Sequence, residues 1–196
     1  MANFRILNPI LLMLLTSCMP ISAKELQQIP VDYHEIAAEA QVPVELLYSL
    51  ALAESSRRFK GGEHPWPWTI NVAGKGYRYN TQEEAWQALI QFVRKVPLKR
   101  IDVGITQVNL GWNGHLFPSF YDAFDPSTNL RVAAHILRSC YETSFGSWIK
   151  AAGCYHHPAG GKHAANYIAI VRRKLNTLPP SDIVLINNQL SWIEPK

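Results

Sequence analysis

The sequence predicts a mainly α domain carrying one small β-hairpin insertion. Apolar runs with helical spacing lie on both sides of residues 57–80, and helix-start signals stand ahead of the later ones. Between them runs a stretch rich in Pro, Trp and Gly that no helix interior accommodates. At 196 residues, 47% hydrophobic and 17% charged, the chain has the size and composition of one ordinary folded domain. That composition argues against disorder. There are no internal repeats and no low-complexity tracts.

Residues 1–23 read as a signal peptide. Arg5 supplies a positive start, Ile10 to Leu15 a short apolar core, and Ser22-Ala23 a cleavage point. The run is too short to span a bilayer, which needs about 20 apolar residues. Export to the periplasm is the expectation. Leu15-Thr16-Ser17-Cys18 offers a rival outcome, because it resembles the lipobox of bacterial lipoproteins, in which the cysteine carries a lipid anchor. Plain cleavage is the favoured of the two.

The folded domain is expected over residues 24–180, with 57–80 as the hairpin insertion and 181–196 as a weakly structured tail. Tyr33 to Ala40 reads as a short helix, and Pro43 suits the first turn of the next. Leu46, Leu47, Leu50, Ala51 and Ala53 make that second helix apolar on most sides, so it belongs at the centre of the core. Glu54 and Ser55 end it. Trp68 to Val72, the turn Ala73-Gly-Lys-Gly76 and Tyr77 to Tyr79 read as the hairpin. Thr81 and Glu84 form a capping box for a helix to about Val96. Asp102 to Asn113 reads as a glycine-punctuated loop and a short helix. Asp125-Pro126 opens a helix to about Tyr141; Ser147–Gly153 and His163–Leu175 are the last two.

Formal charge is +4, and removing the single charge of residues 1–23, Arg5, leaves +3. A mildly basic exported protein suits an anionic polymer or membrane surface. Cys140 and Cys154 then form an even pair in an oxidising compartment, which reads as a disulfide. A zinc site from Cys154, His156, His157 and His163 is the alternative, but its spacing fits no common structural-zinc pattern. No metal, cofactor or nucleic-acid partner is expected.

Two places carry chemistry. Glu54 is a carboxylate at the end of an apolar helix, where burial disfavours its charged form and fits it to hold a proton. Cleaving a glycosidic bond needs such an acid, because the leaving oxygen departs poorly unless protonated. A solvated helix-end glutamate is the plainer reading. Asp102-Val-Gly-Ile-Thr-Gln-Val-Asn109 brings together a carboxylate, a tight-turn glycine and two amides. Amides offer donor and acceptor groups that match N-acetyl sugars. The competing roles are capping for Gln107 and Asn109, and a surface ion pair with Lys99 or Arg100 for Asp102.

Ala51-Leu-Ala-Glu-Ser55, Gly104-Ile-Thr-Gln-Val-Asn109, Ala151-Ala-Gly-Cys-Tyr-His156 and Tyr167, in that order, resemble the motifs of lytic transglycosylases of the SLT type. The resemblance spans roughly residues 30–178. It implies a lysozyme-like helical domain that cleaves the MurNAc–GlcNAc bond of peptidoglycan. Glu54 matches the family's catalytic acid and base, and Ser55 the serine that positions it. Gln107, Asn109, Tyr155 and Tyr167 match residues lining the substrate cleft. Thr106 stands where the family usually has Met, and His156 where it has Asn.

The stretch around Asp102 also resembles the one carrying the second carboxylate of C-type lysozymes, so Asp102 is an accessory catalytic candidate and hydrolysis a competing outcome. The Pro-Trp-Pro-Trp segment resembles members encoded with conjugation and type IV secretion systems, which implies partners in such an apparatus. A non-catalytic wall-binding component is the third reading. Trp66, Trp68, Tyr77 and Tyr79 could anchor the hairpin, extend a glycan groove or face a secretion partner. Anchoring is slightly favoured.

Overall fold

The computed structural model describes residues 27–60 and 62–179, together with the backbone of 183–186 and 189–192. The proposed cleavage site and Cys18 lie outside the described residues. Helix α1 (Val31–Glu39) leads into α2 (Val44–Ser55), which is buried along almost its whole length. Leu46, Leu47, Leu50, Ala51 and Leu52 are all sealed from solvent. Burying each leucine contributes roughly 1.5–3 kcal/mol, so α2 is the post on which the helical core is built. Around it pack α5 (Pro126–Thr143), α6 (Trp148–His156) and α7 (Gly161–Leu175).

The β region is larger than the sequence reading expected. A small outer hairpin, β1 (Arg57–Phe59) with β2 (Gly62–His64), follows α2 directly. The anticipated hairpin is present as β3 (Thr69–Val72) and β4 (Lys75–Arg78). It belongs, however, to a four-stranded antiparallel sheet of order β4-β3-β5-β6, completed by β5 (Ile101–Val103) and β6 (Val108–Asn109). The stretch expected as loop and short helix is therefore a second hairpin followed by the short α4 (Leu110–Asn113). The register aligns Asn71 with Asp102 and Asp102 with Asn109 across the sheet. Because successive side chains alternate faces, these three share one side while Ile70, Val72, Ile101, Val103 and Val108 fill a buried core on the other.

Helix α3 (Gln82–Val93) covers that second core with Ala85 and Leu89. The Glu84 amide donates to Thr81 Oγ1 (3.1 Å), and the Glu84 carboxylate accepts from the Asn80 amide (2.9 Å), one residue earlier than a standard capping box. The helix stops at Val93, short of the expected Val96, because the Lys95 and Val96 amides both turn back to the Phe92 carbonyl. The aromatic cluster anchors the sheet. Trp66 Nε1 donates to the Tyr79 carbonyl (2.7 Å), Trp66 meets Trp68 edge-on at 5.4 Å, and Tyr77 packs on Phe92 at 4.9 Å.

Asp125 caps α5 by accepting from the Thr128 amide (2.7 Å), with Pro126 at its first position as the sequence indicated. Helix α6 runs beyond Gly153 to His156, and α7 starts at Gly161, before the expected His163. The tail, expected to be weakly structured, pairs β7 (Ile183–Ile186) with β8 (Gln189–Trp192). Cys140 of α5 and Cys154 of α6 form a disulfide, with Cα atoms 5.8 Å apart. That removes Cys154 from any zinc site.

Closing a loop of this length stabilises the fold by roughly 3 kcal/mol in the chain-entropy account. Reducing the bridge, or replacing both cysteines with alanine, is expected to lower the unfolding free energy by about that amount. Denaturant titration with and without reductant measures it.

Candidate active site

The turn joining β5 to β6, residues 104–107, organises the site. Gly104 opens it with φ +86°, and a Cβ there would fall 2.1 Å from Asn129 Nδ2, so only glycine fits. Three helices then fasten the turn. Ser55, the last residue of α2, donates its hydroxyl to the Ile105 carbonyl (2.6 Å). Tyr155 of α6 donates to the Thr106 carbonyl (2.9 Å). Asn129 of α5 accepts from the Thr106 amide (3.0 Å) and hydroxyl (2.6 Å), and donates to the Val103 and Ala123 carbonyls. Ser55, Thr106 and Asn129 are all fully buried, where an unmade hydrogen bond costs about 1–3 kcal/mol.

Two of the fasteners, and the turn itself, sit beside a group that faces the cleft. Glu54 precedes Ser55, His156 follows Tyr155, and Asp102 lies just before Gly104. The three line one cleft of about 220 Å³ with Asn71, Gln107 and Tyr155 among its walls. Glu54 therefore does not stand in open solvent: its side chain is 13% exposed and faces the Gln107 turn. His156 Nδ1 stands 3.6 Å from Glu54 Oε1, beyond a good hydrogen bond but close enough for charge attraction. Its ring lies flat on Tyr167, with centroids 4.2 Å apart and planes within 1°.

The local fields are uneven. The Glu54 carboxylate raises the His156 pKa, with burial opposing and Asp102 adding to the rise. Burial raises the Asp102 pKa, the Asn109 hydrogen bond lowers it, Glu54 raises it and His156 lowers it. Asp102 forms no ion pair with Lys99 or Arg100 among the described residues; its partner is Asn109 Nδ2 at 2.7 Å. Tyr155 and Tyr167 are pushed far up, by burial first and Glu54 second. The Tyr167 hydroxyl is buried close to Glu54, without a hydrogen bond of good geometry among the described residues.

All six proposed substrate residues lie in or beside this cleft, but several are already committed. Gln107 Nε2 donates to the Gly104 and Thr69 carbonyls (2.8 and 3.1 Å), which supports its own left-handed backbone at φ 51°. Asn109 caps α4, accepting from the Gly111 and Trp112 amides while donating to Asp102 and the Lys99 carbonyl. Their amides shape the cleft more than they reach into it. Sequence reasoning missed Asn71, Asn113 and Asn129. Asn71 was legible as the polar position between Ile70 and Val72; Asn129 gave no signal inside an amphipathic helix. Thr106 replaces the family's Met in a position where its hydroxyl binds Asn129.

A wider groove of about 680 Å³ lies at the far end of α2, lined by residues that include Val42, Val44, Arg138, Tyr141 and Trp148. Its lining holds no carboxylate, so size does not mark the chemistry here. Among the described residues no group of three or more His, Cys, Asp or Glu is placed to hold a metal ion.

A helical domain with a small sheet, a carboxylate at a helix end and a fastened turn opposite it define a lysozyme-like cleft. Residues 69–177, more than half of the chain, match the family described as Transglycosylase SLT domain, and the chain belongs to that family. Peptidoglycan is the substrate this membership implies. No curated protein matches the chain. The matched span contains Asp102, Tyr155, His156 and Tyr167 but begins after Glu54, whose place rests on the geometry above.

The His156 shift has a testable sign. A histidine whose pKa rises on folding adds stability below its unfolded value of about 6.5 and loses that contribution as pH climbs through the raised value. Wild type is therefore expected to exceed His156→Asn in stability most at pH 5.5, with the gap closing by pH 8.5. Urea unfolding at the two pH values reads it; a pH-independent gap would contradict the pairing.

Proposed function

We propose that this chain is a peptidoglycan lytic transglycosylase that cleaves the β-1,4 bond between MurNAc and GlcNAc and leaves a 1,6-anhydroMurNAc end. The single observation that carries the reading is Glu54, largely buried, set in one cleft with Asp102 and His156. Glu54 in its acid form donates its proton to the glycosidic oxygen as the C1–O bond breaks. The resulting carboxylate then takes the proton from the MurNAc 6-hydroxyl, whose oxygen bonds to C1. Glu54 ends protonated, and no water is consumed. Positive charge builds at C1 between the two steps, and Asp102 is the second carboxylate available to stabilise it.

Asp102 also favours a second reading. A C1 centre stabilised long enough by that carboxylate is open to water, which gives a lysozyme-like hydrolase on the same residues. His156, where the family usually carries Asn, is a proton-bearing neighbour that stabilises Glu54 once it has given up its proton. Export to the periplasm is part of the same proposal, supported by the signal-like pattern of residues 1–23. Local wall opening for a conjugation or secretion apparatus is the biological role, supported by the Pro-Trp-Pro-Trp resemblance alone.

Mass spectrometry of digested sacculi separates the readings. Wild type is expected to release anhydro-ended muropeptides, and Glu54→Gln to lose at least about a hundred-fold of that activity. Asp102→Asn is expected to slow cleavage less than Glu54→Gln. Reducing ends in place of anhydro ends would establish the hydrolase, equal clearing by Glu54→Gln would remove Glu54 as the catalytic acid, and no clearing by wild type would leave a wall-binding role.

A further inference from the structure

The outer hairpin, β1 with β2, carries chemistry that the cleft does not use. All three residues of β1 are exposed, as are Lys60 in the turn and His64 at the end of β2. A two-stranded hairpin by itself is marginal in water, and this one is held at its base. The Trp66 amide donates to the Ser55 hydroxyl (3.1 Å), and Glu63 pairs with Lys174 of α7. Phe59, 40% exposed beside the turn, packs on Trp66 with ring centres 5.7 Å apart. The Arg57 guanidinium lies over both rings, 4.9 Å from the centre of Trp66 and 5.5 Å from that of Phe59. Three cations, Arg57, Arg58 and Lys60, thus surround one exposed aromatic ring. The single acid of the hairpin, Glu63, is taken by Lys174 and Arg58, and neither Arg57 nor Lys60 has an acidic partner among the described residues.

An exposed ring flanked by Arg and Lys is the composition of a surface that lies on a bilayer. The ring enters the boundary between headgroups and acyl chains, while the long cationic side chains reach the lipid phosphates. The chain entering the domain arrives at the same place. Gln27 Nε2 donates to the Glu63 carbonyl and to the Tyr48 hydroxyl (2.7 Å), and the Gln27 amide donates to the Thr177 carbonyl (3.1 Å). The proposed leader ends at Ala23, four residues before Gln27, and Cys18 stands nine residues before it. Nine residues span at most about 30 Å. We infer that the β1–β2 hairpin is a docking surface for an anionic bilayer, with Phe59 entering the headgroup layer and Arg57, Arg58 and Lys60 binding lipid phosphates. The charge is complementary, three cations against one acid that is already paired. Because the base of the hairpin is tied to Ser55, docking holds the Glu54 cleft beside the membrane. What the cleft then cuts depends on the peptidoglycan reading; the docking does not.

Co-sedimentation with vesicles tests it, using the exported protein purified from the cell that processes it. Vesicles of phosphatidylcholine are compared with vesicles containing about a third phosphatidylglycerol, and wild type is expected to bind the anionic ones about thirty-fold tighter. Arg57→Gln with Lys60→Gln is expected to lose about ten-fold on anionic vesicles and nothing on neutral ones. Arg57→Lys with Lys60→Arg keeps the charge and stays within about two-fold of wild type. Phe59→Ser is expected to weaken binding to anionic vesicles by about five-fold. Arg94→Gln with Lys95→Gln removes the same charge from the end of α3 and is expected to stay within about two-fold. Equal binding to both kinds of vesicle, or equal losses from the two charge-removing pairs, would overturn the docking surface. Loss in the Arg57 and Lys60 pair with none in Phe59→Ser would overturn it too, and would mark a surface for a soluble polyanion. All the hairpin variants are expected to cleave soluble glycan fragments as wild type does. If wild type docks but cleaves nothing, only the peptidoglycan reading falls.

Discussion

Ser55, Asn129 and Tyr155 hold one four-residue turn from three helices, and the rest of the site follows from that restraint. Each reaches a neighbouring atom of the same strip of backbone: the Ile105 carbonyl, the Thr106 amide and hydroxyl, the Thr106 carbonyl. Glu54 and His156 are the immediate chain neighbours of two of these fasteners, and Asp102 lies two residues before the turn, so fixing the turn fixes Glu54 against His156 and both against Asp102. A carboxylate that must give and then take a proton gains from such rigidity, because misplacement by an ångström weakens proton transfer steeply. The sheet contributes through its alternation. Ile101 and Val103 enter the core, which leaves Asp102 turned to the opposite face with Asn71 and Asn109.

The helical part of this arrangement was legible in the sequence. Leu46, Leu47, Leu50 and Ala51 marked α2 as central, and Asp125-Pro126 marked the start of α5, because caps and 3.6-residue spacing are local signals. Strands β5 and β6 were not legible, since three residues and two residues cannot display a period. The pairing of β5 with β3 arises from long-range contact, through the Val103 and Ile70 side chains sealed under α3 and α5. The cleft residues divide along the same line. Glu54 stood out by its position at an apolar helix end, and Asp102 by its motif. Asn129 lay hidden because its partners are backbone groups that only the fold brings near it. Gln107 and Asn109 were visible, but the sequence could not say that their amides are spent on Gly104, Thr69 and Lys99.

The departures from the family pattern are coherent in this frame. Thr106 in place of Met gives Asn129 a hydroxyl to bind, so that the turn gains a fastener where it would otherwise gain apolar contact. His156 in place of Asn keeps a polar group over Glu54, adds a ring that lies on Tyr167, and brings a charge that responds to pH. Both changes fall at the restraint itself and leave Glu54 where it is. The disulfide between α5 and α6 acts on the same unit, since those helices supply Asn129, Tyr155 and His156.

On the proposed function, the cleft between Glu54 and Asp102, and not the wider groove at the other end of α2, receives the glycan. A crystal structure of the Glu54→Gln protein bound to a peptidoglycan tetrasaccharide tests it most directly. The scissile oxygen is expected within hydrogen-bonding distance of the side chain at position 54, with the reacting C1 facing Asp102. A sugar chain resting against Tyr141 and Trp148, with the smaller cleft empty, would contradict it.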